Sequence, residues 1–135
     1  MLTRVDGGPA VVVCDTCRHS AGQRSDAAGV TGGARLAEVL RGLRDADARY
    51  AAIAIQPMPC LFACQDHCTV HLRAPGKVGY VLGRFTPDAA AARAILDYAL
   101  AYAESVHGRV AYADWPDGVK GHFIVRIPPA GFVAE

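Results

Sequence analysis

Five cysteines are the residues of this 135-residue chain whose type and spacing could do chemistry. Cys14 and Cys17 form a CxxC, the next 42 residues contain no cysteine, and Cys60, Cys64 and Cys68 form a CxxxCxxxC after which none follows. Cysteines that served only as small core hydrophobes would scatter over strands and helices instead of gathering into two tight sets. The apolar run Ala10 to Val13 is too short for a signal-peptide core or a membrane span, so a cytoplasmic location without membrane contact is expected. Thiols are kept reduced there, and an odd cysteine count also argues against a disulfide framework. Two sets that converged in space would make a metal site. Soft sulfur donors suit either a tetrahedral zinc or an iron-sulfur cluster, and spacing by itself does not separate the two.

Other readings of the same residues compete with a shared metal. Cys14 and Cys17 follow a strand, as the redox pair of a thiol-disulfide oxidoreductase does. Such a pair normally opens a helix whose N-terminus lowers the thiol pKa, whereas here Gly22 to Gly33 intervene before any helix. The CxxxCxxxC spacing would also place three cysteines on one face of a short helix. Pro57, Pro59 and the polar Gln65-Asp66-His67 speak against that face being buried. His19, His67 and His71 lie near the cysteines and are candidate replacements for a thiolate, although a solvated histidine is the commoner case. Arg18, Arg73 and Lys77 are candidates for balancing a thiolate-bound centre or steering a partner.

The elements that must position the cysteines can be read from pattern. Ala10 to Cys14 is a β-branched apolar run and reads as a buried strand, with the CxxC at its end. Arg18 to Gly33 lacks periodicity and is rich in Gly, Ser and Asp, which predicts a long exposed loop. Leu36, Val39, Leu40 and Leu43 recur at helical spacing between Gly32-Gly33 and Asp45 to Asp47. Ala51 to Ile55 reads as a second strand stopped by Pro57 and Pro59. Thr69 to Leu72 and Val78 to Leu82 flank Ala74-Pro75-Gly76-Lys77, a turn signal that predicts a β-hairpin. From Thr86 to about Ser105 the chain is an Ala-rich helix, with Thr86 and Pro87 as cap and first-turn proline. That helix serves core packing, with dimer contact as a second use; Tyr98 and Tyr102 suit either. The tail from Gly108 holds one candidate strand, His122 to Ile127.

This order predicts a single α/β domain spanning residues 1–135, with helices packed on a small mixed sheet. A strand-helix-strand unit makes the first two strands parallel, so their C-terminal ends share one edge of the sheet. Cys14 and Cys17 would then meet Cys60 and Cys64 across 46 positions of sequence.

Composition narrows the function classes. A content of 52% apolar and 20% charged residues is ordinary for a globular chain. A net charge of +1 without a Lys/Arg cluster gives no phosphate-binding surface, so no nucleic-acid partner is expected. Gly29, Gly32 and Gly33 fit no nucleotide-binding fingerprint, and no nucleophile-base pair stands out. No enzymatic reaction is read from these features.

The segment Cys60-Leu-Phe-Ala-Cys64, followed by Thr69-Val70-His71-Leu72, a Pro75-Gly76 turn and Tyr80, resembles the thioredoxin-like [2Fe-2S] ferredoxins, as does the strand leading into Cys14. More closely, the chain is similar over most of its length to a family of short predicted metal-binding proteins of uncharacterised function. That likeness rests on Val13-Cys14-Asp15-Thr16-Cys17-Arg18, the CxxxCxxxCT segment and Arg126-Ile127-Pro128-Pro129. The resemblance implies a thioredoxin-like fold, a [2Fe-2S] cluster, electron transfer to a redox partner protein and an association with cobalt or cobalamin metabolism. It carries Cys14, Cys60 and Cys64 over as ligands. The ferredoxins place their second ligand on a long loop well beyond the first, and have Gly-Pro where this chain has His67-Cys68. The fourth ligand is therefore Cys17 or Cys68, with Cys17 favoured because it and Cys14 can clamp one iron while Cys60 and Cys64 take the other.

Overall fold

Three consecutive valines between Ala10 and Cys14 leave the first strand, β1 (Ala10–Cys14), no solvent-facing side, and all five of its residues are buried. It runs in the interior of a five-stranded sheet, of order β2-β1-β3-β4-β5, in a computed structural model that describes residues 1–135. The helix α1 (Gly32–Ala46) follows, capped by the Thr31 hydroxyl, which accepts from the Ala34 N–H at 3.2 Å. Leu36 and Leu40, one turn apart, are fully buried against the sheet. Burial of two such side chains is worth about 4 kcal/mol before entropy is counted.

The crossover returns the chain as β2 (Ala54–Met58), parallel to β1 and in register, Cys14 lying beside Met58. This strand begins three residues later than its pattern predicts, because Ala48–Tyr50 closes a 3-10 turn and the Ile53 N–H bonds to the Tyr50 carbonyl. Pro57 lies inside the strand and does not end it. β2 is an edge strand, so a position without a donor can face outward. The hairpin falls where expected, as β3 (Val70–Arg73) and β4 (Gly79–Leu82). Its turn is closed by the Lys77 N–H on the Ala74 carbonyl, with Gly76 at φ 72°, a backbone that Pro-Gly is suited to make.

The helix α2 (Ala89–Glu104) is capped by Asp88, whose carboxylate accepts from the Ala91 N–H at 2.9 Å. Thr86 is therefore not the cap, and Pro87 precedes the helix. Finally β5 (Phe123–Ile127) pairs antiparallel with β4 at the other edge, through an irregular register at Val81/Leu82.

Both helices share one core of 21 buried residues with Val11, Val13, Val70, Leu72 and Leu82 of the sheet. Tyr98 and Tyr102 belong to this core and are nearly inaccessible, the Tyr102 hydroxyl donating to the Val78 carbonyl at 2.7 Å. They are core residues rather than a contact surface. Lys77 reaches the last carbonyls of α2, with Nζ 3.2, 2.5 and 2.6 Å from those of Tyr102, Ala103 and Ser105. That placement satisfies a helix C-terminus and removes Lys77 from the cysteine neighbourhood. Arg73 is likewise engaged elsewhere, donating to Gln56 at 3.0 Å. No helix is long and apolar enough to cross a membrane.

Candidate metal centre

The end of β1 delivers Cys14 to one rim of the sheet. Its backbone is held on both sides, the Cys14 N–H donating to the Thr69 carbonyl at 3.1 Å and the Asp15 N–H to the Met58 carbonyl at 3.0 Å. The chain then turns so that Cys17, also buried, comes back beneath the start of α1. The Gly33 N–H donates to the Cys17 carbonyl at 3.0 Å, and the Thr31 hydroxyl donates to the Asp15 carbonyl at 2.7 Å. A Cβ at Gly33 would sit 1.8 Å from the Cys14 carbonyl oxygen, so only glycine lets the helix N-terminus approach this closely.

The segment 18–31 that separates CxxC from helix in sequence does not separate them in space. It is folded back by two isolated bridges, Ser20 with Gln23 and Ser25 with Thr31. Asp26 organises its tip, accepting from the Ala28 and Val30 N–H groups at 2.9 and 3.0 Å and pairing with Arg35 at 2.7 Å. The Arg35 guanidinium holds the Asp26 carboxyl below its usual range.

The second cysteine set leaves β2 through Pro59. Cys60, Phe62 and Cys68 have φ of 58°, 59° and 51°, and Arg84, which clamps the same loop, has 64°; no other non-glycine residue in the chain has a positive φ. Such backbones cost free energy and persist only where surroundings enforce them. Here the Arg84 N–H donates to the carbonyls of Asp66 and His67 at 3.0 and 2.7 Å, while its guanidinium pairs with Asp66 at 2.7 Å. Only a 3-10 turn over Cys64–Asp66 is regular, so the CxxxCxxxC is not a helix face.

Cys60 and Cys64 stand as a pair, with sulfurs 3.7 Å apart. The Phe62 N–H donates to the Cys60 sulfur at 3.3 Å. Cys14, Cys17 and Cys64 line one cleft of about 250 Å³ together with Thr16, Arg18 and Arg24. The thiols thus form two pairs at a common rim, and no three His, Cys, Asp or Glu side chains are gathered around a single point.

Electrostatics distinguish the members. Hydrogen bonding from the Cys17 thiol pulls Cys14 down to about 4, against the effect of burial and helped by Thr16 and the Leu61 backbone. The hydrogen bond that the Cys17 thiol gives to Cys14 in turn pushes Cys17 up, with burial acting the same way. Cys60 raises Cys64. Cys68 is fully buried, pushed up to about 12 by that burial, and its thiol donates to the Arg18 carbonyl at 3.4 Å.

The histidines do not join the thiols as a group. His71 lies in mid-strand, level with Val12 and Val81, its ring against Gly79. Burial lowers His67, whose Nδ1 has no hydrogen-bond partner. Of the three cations singled out by sequence, only Arg18 is at the cleft. Arg24, Thr16 and Thr69 were not singled out. Thr16 lies within the CxxC itself and Thr69 directly follows Cys68, which was the one available signal for each.

Against known proteins, a family model described as a protein of unknown function, DUF1636, matches residues 11–129. No curated protein sequence matches the chain. Among solved structures the chain is similar to a thioredoxin-like [2Fe-2S] ferredoxin from Aquifex aeolicus, at 20% identity and a TM-score of 0.56, over 95% of this chain and 100% of that one. The fold is thioredoxin-like, as the resemblance implied.

Proposed function

This chain belongs to the DUF1636 family, and we propose that it is an electron-transfer protein that binds a [2Fe-2S] cluster through Cys14, Cys17, Cys60 and Cys64. The observation that carries the reading is one cleft at the rim of the sheet lined by Cys14 and Cys17 from the end of β1 and by Cys64 from the loop after β2, with the Cys60 sulfur 3.7 Å from that of Cys64. The donor set fits the group: it is all sulfur, the choice of iron-sulfur clusters. Two pairs suit a binuclear centre better than the single tetrahedral point a structural zinc requires. Similarity of fold to a ferredoxin supports the same reading.

When bound, such a cluster supplies a one-electron couple. The chain's own part is to hold the sulfurs and modulate their charge. The Phe62 N–H aims at Cys60, and Arg18 and Arg24 line the cleft beside the thiols. Cys64 is exposed, which leaves the site open to a redox partner protein. No substrate is turned over in this reading. Service to cobalt or cobalamin metabolism belongs to the proposal through the resemblance alone.

The test is an anaerobic absorption spectrum with iron, zinc and sulfide determination. Reddish-brown protein with near-equimolar iron and inorganic sulfide is the expected result. Colourless protein carrying stoichiometric zinc rejects it in favour of a metal-carrying module.

A second reading is favoured by one specific observation. The start of α1 does abut the CxxC, and Cys14 is held as a thiolate beside the Cys17 thiol, which are attributes of a thiol-disulfide oxidoreductase. Insulin-reducing activity that survives Cys60→Ala and Cys64→Ala is the outcome that would establish it.

A further inference from the structure

Apart from tyrosines and cysteines, only two polar side chains in the molecule are buried, Gln56 and Thr69. Gln56 is accounted for structurally, bonding the Asp6 carbonyl and the Arg73 guanidinium at 2.8 and 3.0 Å. Thr69 is completely inaccessible, and its hydroxyl has one partner, the Cys17 sulfur at 3.2 Å, 52 positions away in sequence. A buried hydroxyl that finds no partner forfeits its hydration without compensation. Valine would fill nearly the same space without incurring that cost, so the hydroxyl has its use in the contact with sulfur.

We infer that Thr69 is a positioning residue for the metal centre: its hydroxyl is a fixed donor to the Cys17 sulfur and raises the reduction potential of a cluster held there. The inference rests on the reading given under Proposed function. A metal-bound thiolate has no proton and can only accept, so the single hydroxyl proton of Thr69 must point at it. The donor is fixed in place before any metal arrives. Its carbonyl holds the Cys14 N–H, and its methyl occupies space next to Gly83, where a Cβ would come within 2.9 Å of it. Hydrogen bonds to cluster sulfurs favour the more negative, reduced state.

The same geometry separates Cys17 from Cys68. The Cys68 sulfur donates its proton to the Arg18 carbonyl, a bond that ligation would forfeit and leave that carbonyl unpaired. The Cys17 sulfur instead faces the Thr69 hydroxyl at 3.2 Å, a group that can donate to it once the thiol has given up its proton. Cys17 is thereby assigned as the fourth ligand, and Cys68 as a protonated thiol that secures the loop behind it.

The experiment reconstitutes full-length wild-type, Thr69→Val, Thr69→Ser and Cys68→Ala proteins anaerobically with iron and sulfide, then measures potentials by spectroelectrochemical titration and iron-sulfur stretches by resonance Raman. Thr69→Val is expected to load a cluster whose one-electron equilibrium is about tenfold less favourable to reduction, a shift of about 59 mV, with Thr69→Ser returning to the wild-type value. Should Thr69→Val not load, Thr69→Ala takes its place. Failure of both while Thr69→Ser loads supports the hydroxyl as the group that holds Cys17. A loaded Thr69→Val or Thr69→Ala protein with unchanged potential overturns the inference and leaves the cluster reading standing. Cys17→Ala is reconstituted beside Cys68→Ala, and loss of the cluster in Cys68→Ala with retention in Cys17→Ala overturns the inference as well. A wild-type chain that takes up no iron and sulfide overturns the cluster reading itself.

Discussion

The two ends of the sheet are built on opposite terms. At the cysteine rim every non-glycine residue with a left-handed backbone is gathered, Phe62 stands 95% exposed, and polar contacts run to sulfur. Where β4 and β5 pack against α2, Tyr80, Tyr98, Trp115 and Phe123 meet in edge-on and tilted contacts with centroids 4.5–6.4 Å apart, and Lys77 closes the helix end. One region stores strain in order to place thiols. The other relaxes into packing and holds the fold together. Function and stability should therefore be separable by mutation.

The largest expected effect is all-or-none. Cys64→Ser abolishes bound iron and sulfide, while the stability of the metal-free chain in urea changes by no more than about 0.5 kcal/mol, because Cys64 is exposed. A large loss of stability would break the division between rim and packed end. Next, Tyr98→Ala removes a buried ring from the aromatic cluster and lowers stability by about 3–5 kcal/mol, with the visible spectrum of the folded fraction unchanged.

The third effect is pH-dependent. In the unfolded chain both Cys14 and Cys17 titrate near the ordinary thiol value of about 8.5. Between the folded Cys14 value of about 4 and that figure, the folded metal-free protein binds one proton fewer than the unfolded one, so stability rises with pH. Above it, the proton retained by Cys17 reverses the slope. Cys14→Ser should flatten the rise between pH 5 and 8 in urea titrations, and an unchanged slope would refute the pairing of these thiols.

Smaller effects sharpen the contrast. Lys77→Met leaves the α2 carbonyls without their cation and costs about 1.5 kcal/mol. Phe62→Gly works in the opposite sense. It relieves a left-handed backbone at an exposed position and raises metal-free stability by up to about 1 kcal/mol, so a loss there would show that the Phe62 ring contributes packing its exposure does not reveal.

Much of the frame was legible because it rests on short-range pattern. Three valines, a leucine repeat at helical spacing and a Pro-Gly turn each encode a local geometry, and β1, α1 and the hairpin fell where those patterns lie. The parallel crossover followed from chain direction alone, and with it the meeting of the two cysteine sets at one rim. Local pattern failed where a longer-range contact overrode it. Pro57 reads as a strand stop but is tolerated because β2 proves to be an edge. Thr86 loses the helix cap to Asp88, whose carboxylate reaches the Ala91 N–H. The polar run 18–31 reads as a gap between CxxC and helix, yet Asp26, Arg35 and two bridges fold it away and bring Gly33 against Cys14.

The sequence by itself determined the chemistry on offer: five cysteines in two groups, following strands whose direction one crossover decides. Tertiary structure alone decided how those thiols differ. Whether a given sulfur stands beside another thiol, a threonine hydroxyl or a backbone carbonyl depends on contacts across about 50 positions, and proton and charge placement at sulfur is governed by such neighbours within hydrogen-bond reach, not by spacing along the chain.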